Sequence, residues 1–348
     1  MKILQVEEFI ENRVRYQPID VRSPGEYRQA HIPGAVNVPL FTDEERAVIG
    51  NTYKKEGIEQ AKLLGLKLVA PHLPEMVDKI LAAAGEKKIL IYCWRGGMRS
   101  FSMCALMNAL KYPVYQLSGG YKAFRRFIFR FHQEKQISVP VFVLNGLTGV
   151  GKTRILRHLQ AGGAYVLDLE GMANNRGSVF GSVGLGATRS QKDFDALLAY
   201  ALLDYEHAPY LLVEGEGRRI GQVRLPDYLY TAMLKGTHIL LKADLAVRVE
   251  RIVNEYHGSK ETKDELIASL SMLQRKLGKA KVLELIGKIR QGCYHEVVWL
   301  LCRDYYDQHY DDSKGKQEEY LAVINANNLQ KAAEEIMRAI ENFMAIKS

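Results

Sequence analysis

Ile89-Leu90-Ile91-Tyr92-Cys93-Trp94-Arg95-Gly96-Gly97-Met98-Arg99-Ser100 joins a short apolar run, a glycine-bearing turn and the start of a helical pattern. A strand, loop and helix in that order form the repeating unit of α/β folds. It sets Cys93 at the carboxyl edge of a sheet, where open α/β folds place their ligands. Gly96 and Gly97 let the loop curl, and Ser100 is read as the N-cap of the helix carrying Phe101, Cys104 and Met107. Backbone N–H groups of the loop and helix start, together with Arg95 and Arg99, then favour thiolate over thiol at Cys93. A free thiol of pKa about 8.5 is only a few per cent ionised at pH 7, and a drop of about 1.5 units makes it about half ionised. The competing reading is a buried Cys acting as a small hydrophobe, and it suits Cys104 better than Cys93.

A second loop, Gly146-Leu147-Thr148-Gly149-Val150-Gly151-Lys152-Thr153, follows the apolar strand Val139 to Leu144 and opens the helix Arg154 to Leu159. This is G-x-x-x-x-G-K-[ST] in the strand-to-helix context that the motif requires. Gly146, Gly149 and Gly151 let backbone N–H groups wrap phosphate oxygens, Lys152 adds a point charge, and the Thr153 hydroxyl is placed to reach Mg²⁺. The next strand end that offers a carboxylate is Val213-Glu214, where the common nucleotide-hydrolysing pattern has Asp. Phosphate binding follows from these residues; NTP hydrolysis does not. Asp168 to Gly181 is a further glycine-rich stretch whose Arg176 and Ser178, like Glu214, are candidates for holding substrate, with a plain surface loop as the alternative. Cys293-Tyr294-His295 lacks partners at zinc spacing and is read as structural, so no metal ligand set is assigned. Arg303 to Asp312 is aromatic and acidic without the paired Asp-rich motif of common prenyl-diphosphate enzymes, and it reads as surface or interface.

The chain has 348 residues, 47% of them hydrophobic, which suits two ordinary domains and argues against disorder. Strands at Pro18 to Val21, Ala35 to Val38, Lys88 to Tyr92 and Val114 to Leu117 alternate with helices in the first part. Strands at Val139 to Leu144, Ala164 to Leu167, Tyr210 to Val213, His238 to Lys242 and Tyr320 to Ile324 do so in the second. Long helical patterns run from Lys260 to Arg290 and from Leu329 to Ile346. The fold class is α/β: a parallel-sheet domain over residues 1–135, then a P-loop NTPase-like α/β domain over 136–348 with a helical C-terminal part. Four cysteines are too few and too irregularly spaced for a disulfide framework. The first residues lack a signal-peptide pattern and no run of about 18 apolar residues occurs, so the chain is read as cytoplasmic, with no membrane partner.

Net charge is +8, and its excess lies in the first domain, with 21 Lys/Arg against 14 Asp/Glu in residues 1–135. From Lys87 to Gln133 there are nine basic residues and no acidic one, and Cys93 sits inside that window. The window ends in a helical pattern on which Lys122, Arg126 and Arg130 line up four residues apart beside Arg125. Like charges at that spacing repel by a few tenths of a kcal/mol per pair unless an anion lies along them. A nucleic-acid backbone is the natural candidate, and a solvated helix face is the alternative.

The Cys93 loop, with Asp20-Val21-Arg22-Ser23-Pro24-Gly25-Glu26-Tyr27 and His31 to Pro39, resembles the rhodanese family, whose loop cysteine carries a chalcogen. Joined to the P-loop, and with Glu45-Arg46-Ala47, Leu117 to Lys122, Asp168-Leu169-Glu170-Gly171, Arg176-Gly177-Ser178 and Arg248-Val249-Glu250-Arg251, nearly the whole chain resembles the tRNA 2-selenouridine synthase family. One position departs: Asn175 stands where that family is expected to have His. The resemblance implies exchange of sulfur for selenium at C2 of wobble 2-thiouridine, with selenophosphate as donor. It also implies geranyltransferase activity, in which geranyl diphosphate alkylates the sulfur first. Cys93 would engage selenium, the P-loop would hold donor phosphates, and the basic window would grip the anticodon region of tRNA. No tightly bound cofactor is implied, and Mg²⁺ is the candidate metal. The rival enzymes are a rhodanese-type sulfurtransferase fused to an ATPase or kinase domain, and a tRNA sulfurtransferase that consumes ATP.

Overall fold

The computed structural model describes residues 2–177, 180–256, 260–308 and 320–347. The chain divides into two compact units, the first comprising residues 1–134 with the short segment Asp195–Ala199, the second the remainder. In the first unit, β1 (Lys2–Leu4), β2 (Tyr16–Asp20), β3 (Val36–Asn37), β4 (Lys88–Tyr92) and β5 (Val114–Leu117) form an all-parallel sheet of order β1-β5-β4-β2-β3. Residues 89–92 of β4 are all buried, as a parallel strand covered on both faces should be. One covering core sets Met103, Cys104 and Met107 of the helix Met98–Ala109 and Met76 and Ile80 of Leu73–Ala84 against Ile19, Ile89 and Ile91.

In the second unit, β6 (Val141–Asn145), β7 (Val166–Leu167), β8 (Leu211–Glu214), β11 (Thr237–Lys242) and β12 (Ala322–Asn325) form a parallel sheet of order β12-β11-β6-β8-β7. Between β8 and β11 lies an antiparallel ribbon of β9 (Arg219–Ile220) and β10 (Val223–Arg224). Every residue of β6 is buried, and the helices Lys152–Ala161 and Leu329–Lys347 contribute Ile155, Leu156, Ile336 and Ile340 to its core.

The expected strands are all present with edges shifted by up to two residues at each end, and the α/β class holds. The structure adds β1 and the β9–β10 ribbon, which are too short for a periodicity to mark. The pattern from Lys260 to Arg290 is three helices: Lys260–Met272, Gln274–Leu277 and Lys279–Arg290. The last break falls at Gly278, whose φ of +84° ends a right-handed turn without steric cost. Among the described residues no helix is long and apolar enough to cross a membrane.

The first unit is fastened by an ion pair inside it. Arg22 is 1% and Asp20 0% exposed; the Arg22 guanidinium donates to both Asp20 carboxylate oxygens, at 3.0 and 2.6 Å, and to the Ala30 carbonyl at 2.8 Å. The same guanidinium lies 4.1 Å from the Tyr121 ring centre and 5.7 Å from that of Tyr92. Removing one partner strands the other charge in low dielectric, so Arg22→Ala is expected to destabilise the unit by about 3–5 kcal/mol. Urea unfolding of the purified chain measures it, and a loss under about 1 kcal/mol would contradict the assignment.

Candidate functional sites: the thiol loop and the phosphate loop

Cys93 is the first residue after β4, and its side chain is buried. Its sulfur lies 3.2 Å from Ser100 Oγ and 3.9 Å from the Gly97 carbonyl oxygen. Gln116 Nε2 donates to Ser100 Oγ at 2.9 Å and to the Gly96 carbonyl at 2.8 Å, so the Ser100 proton is left to point at Gly97 O or at the sulfur. A hydroxyl poised between a carbonyl and a sulfur can follow the sulfur's charge, donating when it is anionic.

The loop is closed from below by the helix Gly120–Glu134. Tyr121 N donates to Cys93 O and Lys122 N to Trp94 O, both at 2.9 Å. That approach needs Gly120, at φ +58°: a Cβ there would lie 2.3 Å from Cys93 O and 2.5 Å from Gly96 N.

Ser100 is not the N-cap. Gly97 holds that position, and Ser100 is wholly buried within the helix with its hydroxyl turned to the sulfur. Arg99 belongs to Glu26, at 2.7 Å, and Arg46 reaches the same carboxylate at 2.9 Å. Burial pushes the Glu26 carboxyl up, but the Arg99 hydrogen bond and the two cationic charges outweigh it and hold it below its ordinary value. Arg95 is exposed on the loop. Cys104 is core, its thiol pushed up to about 12 by burial, with the neighbouring Cys93 adding to the effect. On the basic helix, Lys122 and Arg126 are exposed, Arg130 pairs with Glu7 at 2.9 Å, and Arg125 with Asp195 at 3.2 Å.

The phosphate loop leaves β6 through Gly146, Gly149 and Gly151, all at positive φ, and ends at the N-terminus of Lys152–Ala161. Lys152 Nζ donates to the Gly146 carbonyl at 2.9 Å. Two arginines fix other loop carbonyls: Arg248 Nε donates to Thr148 O at 2.8 Å and Arg251 to Val150 O at 2.7 Å. Arg248 is itself held by Asp307. The pocket around the loop is lined by Lys152, Thr153, Glu170, Arg176, Glu216 and Arg251, among others.

Behind Lys152 three carboxyl groups converge. Thr153 Oγ1 donates to Glu170 Oε2 at 2.7 Å, and Glu170 N donates to Glu214 Oε1 at 2.6 Å. Glu216 lies beside Glu170, whose charge and carboxyl oxygens favour a proton on Glu216. Burial is the main cause that pushes all three upward: Glu170 against the Thr153 bond and the Lys152 charge, Glu214 with help from the Glu170 charge, and Glu216 to about 7 despite Lys152. Glu214 is wholly buried and absent from the pocket wall, so it supports Glu170 rather than touching a ligand. Among the described residues, no group of three or more His, Cys, Asp or Glu side chains is arranged for a metal ion.

The two parts of the chain that carry these loops have counterparts among known families. Residues 139–342 match the family described as tRNA 2-selenouridine synthase AAA domain, and residues 5–127 match the rhodanese-like domain. The chain belongs to the tRNA 2-selenouridine synthase family. It is 32% identical to the tRNA 2-selenouridine synthase of Shewanella denitrificans, over 89% of this chain and 92% of that one. It is 34% identical to that of Verminephrobacter eiseniae, over 84% and 87%. Among solved structures, the N-terminal domain of a Clostridium difficile 630 protein described as ATP/GTP binding is 37% identical. The match covers 36% of this chain and 98% of that domain, with a TM-score of 0.34. The family matches make the first unit a rhodanese-like parallel-sheet unit and the second a P-loop α/β unit.

Asn175, where the resemblance led to an expectation of His, is buried and lines the pocket around the phosphate loop; its Oδ1 accepts from Gly177 N at 3.0 Å. Arg176 lines the phosphate pocket with its guanidinium on Glu255, at 2.6 Å, and on the Val183 carbonyl at 2.8 Å. Ser178 lies outside the described residues. Sequence reasoning gives Ser100 only a capping role and does not single out Gln116, Glu170, Glu216, Arg248 or Arg251 as site residues. For Glu170, Arg248 and Arg251, the place in a matching stretch is the only signal.

The folded chain keeps a proton on Glu216 up to about pH 7 that the unfolded chain has shed near 4.5. Stability contributed here is therefore full below 4.5 and falls as pH rises towards 7. Thermal midpoints across that window should decline more steeply for the native chain than for Glu216→Gln, and equal slopes would contradict the placement of the proton.

Proposed function

We propose that this chain exchanges sulfur for selenium at C2 of wobble 2-thiouridine in tRNA, with selenophosphate as selenium donor and an S-geranylated nucleoside as intermediate. The observation that carries this reading is a sheet-edge cysteine, with its sulfur 3.2 Å from Ser100 Oγ, in a family member that also has a complete phosphate loop. Three phosphate-bearing reactants, selenophosphate, a prenyl diphosphate and tRNA, give the loop a use that needs no ATP turnover.

In the alkylation, the thiocarbonyl sulfur attacks the prenyl carbon and the carbon–oxygen bond to diphosphate breaks. Charge develops on the departing oxygen, and Lys152 with the N–H groups of the Gly146–Thr153 loop meets it. A bound Mg²⁺ would share that charge, and the Thr153 hydroxyl and Glu170 carboxylate are hard oxygen donors that fit it. Once alkylated, the sulfur leaves as a thiol rather than as sulfide, which lowers the barrier to attack by selenium. The selenium of selenophosphate bonds to C2 as the geranyl thiolate departs, and water then takes the phosphoryl group from selenium as inorganic phosphate. Cys93 holds the selenium beside the base without a change of oxidation state, with Ser100 donating to whichever chalcogen bears the charge. Lys122 and Arg126, exposed on the helix that starts at the thiol loop, support tRNA backbone contact beside Cys93.

Nucleoside mass spectrometry after incubation with 2-thiouridine tRNA, selenophosphate and geranyl diphosphate tests the scheme. The native chain should yield 2-selenouridine. Cys93→Ser should accumulate the S-geranyl nucleoside without selenium, and Lys152→Ala should lose both products by at least about 100-fold, the scale of removing a transition-state charge partner. An undiminished selenonucleoside yield from Cys93→Ser would sink the assignment.

A further inference from the structure

The helices between β11 and β12 carry a core of their own. Leu266, Leu270, Leu285, Val297 and Leu301 pack with Phe180 in a cluster separate from the one on the sheet. That cluster is incompletely filled. A cavity reaches into it past Leu270, Ile289, Val297 and Cys302, and no charged side chain lines it. Burial pushes the Cys302 thiol up to about 11 against the Arg248 charge, so this wall is neutral as well.

Four residues of the cavity wall, Thr148, Ile252, Tyr256 and Tyr306, also line the pocket around the phosphate loop. Thr148 belongs to the loop itself, and Arg248 fixes its carbonyl. A hydrocarbon-lined space next to an anion site selects a ligand with a phosphate head and an apolar tail. Cavities of this kind stay dry, lower stability in proportion to their empty volume, and take up hydrocarbon readily.

We infer that this cavity is the subsite for the geranyl chain of the diphosphate ester whose phosphates lie in the Gly146–Thr153 loop. The inference rests on the prenyl diphosphate reading above and adds where the chain lies and which residues set its length. Leu270 and Val297, on two different helices, line the cavity and not the phosphate pocket. Neither takes part in phosphate binding or in the chemistry of Cys93.

Calorimetric titration with inorganic diphosphate and with geranyl diphosphate tests it. Burying even four carbons of the chain should make the native protein bind geranyl diphosphate at least about 100-fold more tightly than inorganic diphosphate. Val297→Phe, which fills the cavity, should lose most of that preference and keep its affinity for inorganic diphosphate, which is also its control for folding. Should that variant not fold, Leu270→Ala decides: the enlarged cavity should shift preference from geranyl towards farnesyl diphosphate by about 10-fold or more. Equal affinity of the native protein for inorganic and geranyl diphosphate would overturn the subsite and leave the phosphate loop standing. Binding of neither would overturn the phosphate-loop reading and the subsite with it. A preference untouched by both variants would place the chain elsewhere and overturn the subsite alone.

Discussion

Strands β4 and β6 each lie within an all-parallel sheet, and where each ends the chain must leave a buried layer with its peptide groups still needing partners. The two units meet that need differently. After β4, the carbonyls of Cys93 and Trp94 are taken by the N–H groups of Tyr121 and Lys122, a contact that only a glycine at position 120 allows. After β6, two guanidinium groups take the carbonyls of Thr148 and Val150. In both loops the acceptors are fixed by residues from elsewhere in the same unit. What the loop presents to a ligand is then set by rigid neighbours rather than by the loop's own short sequence.

This explains what could be read from the residues alone. Strand runs, the P-loop spacing and the Cys93 turn are local patterns, and they point to the correct fold class and the two loops. The supporting groups are distant in sequence: Gln116 reaches Ser100 across 16 positions, Arg99 reaches Glu26 across 73, and Arg248 reaches Thr148 across 100. Arginine in a sequence reads as solvent-facing charge. Nothing local marks Arg99 or Arg248 as the partner of a carboxylate. Ser100 departs from its expected place for a related reason: glycine and serine both suit an N-cap, and Gly97 takes the position, freeing the Ser100 hydroxyl for the sulfur.

The carboxyl groups behind Lys152 show how one feature changes meaning once packing is known. In sequence, Glu214 stands at a strand end in the place of a metal-binding Asp. In the fold it is sealed beneath Glu170, and the groups that face the pocket are Glu170 and Glu216 beside it. Two carboxyls sharing a proton carry less negative charge than two carboxylates, which eases the approach of a phosphate to the same wall. The first unit tolerates charge in the opposite manner. Asp20 and Arg22 neutralise each other completely inside the core, and that pair together with Tyr92 and Tyr121 forms the floor from which the thiol loop and the basic helix both start.

The account stands or falls on Cys93 as the residue that handles selenium. The most direct measurement is the selenium that reaches S-geranyl-2-thiouridine tRNA from selenophosphate in a single turnover, compared between the native protein and Cys93→Ser. Transfer by the native chain and none by the variant is the predicted result. Equal transfer by both would contradict it.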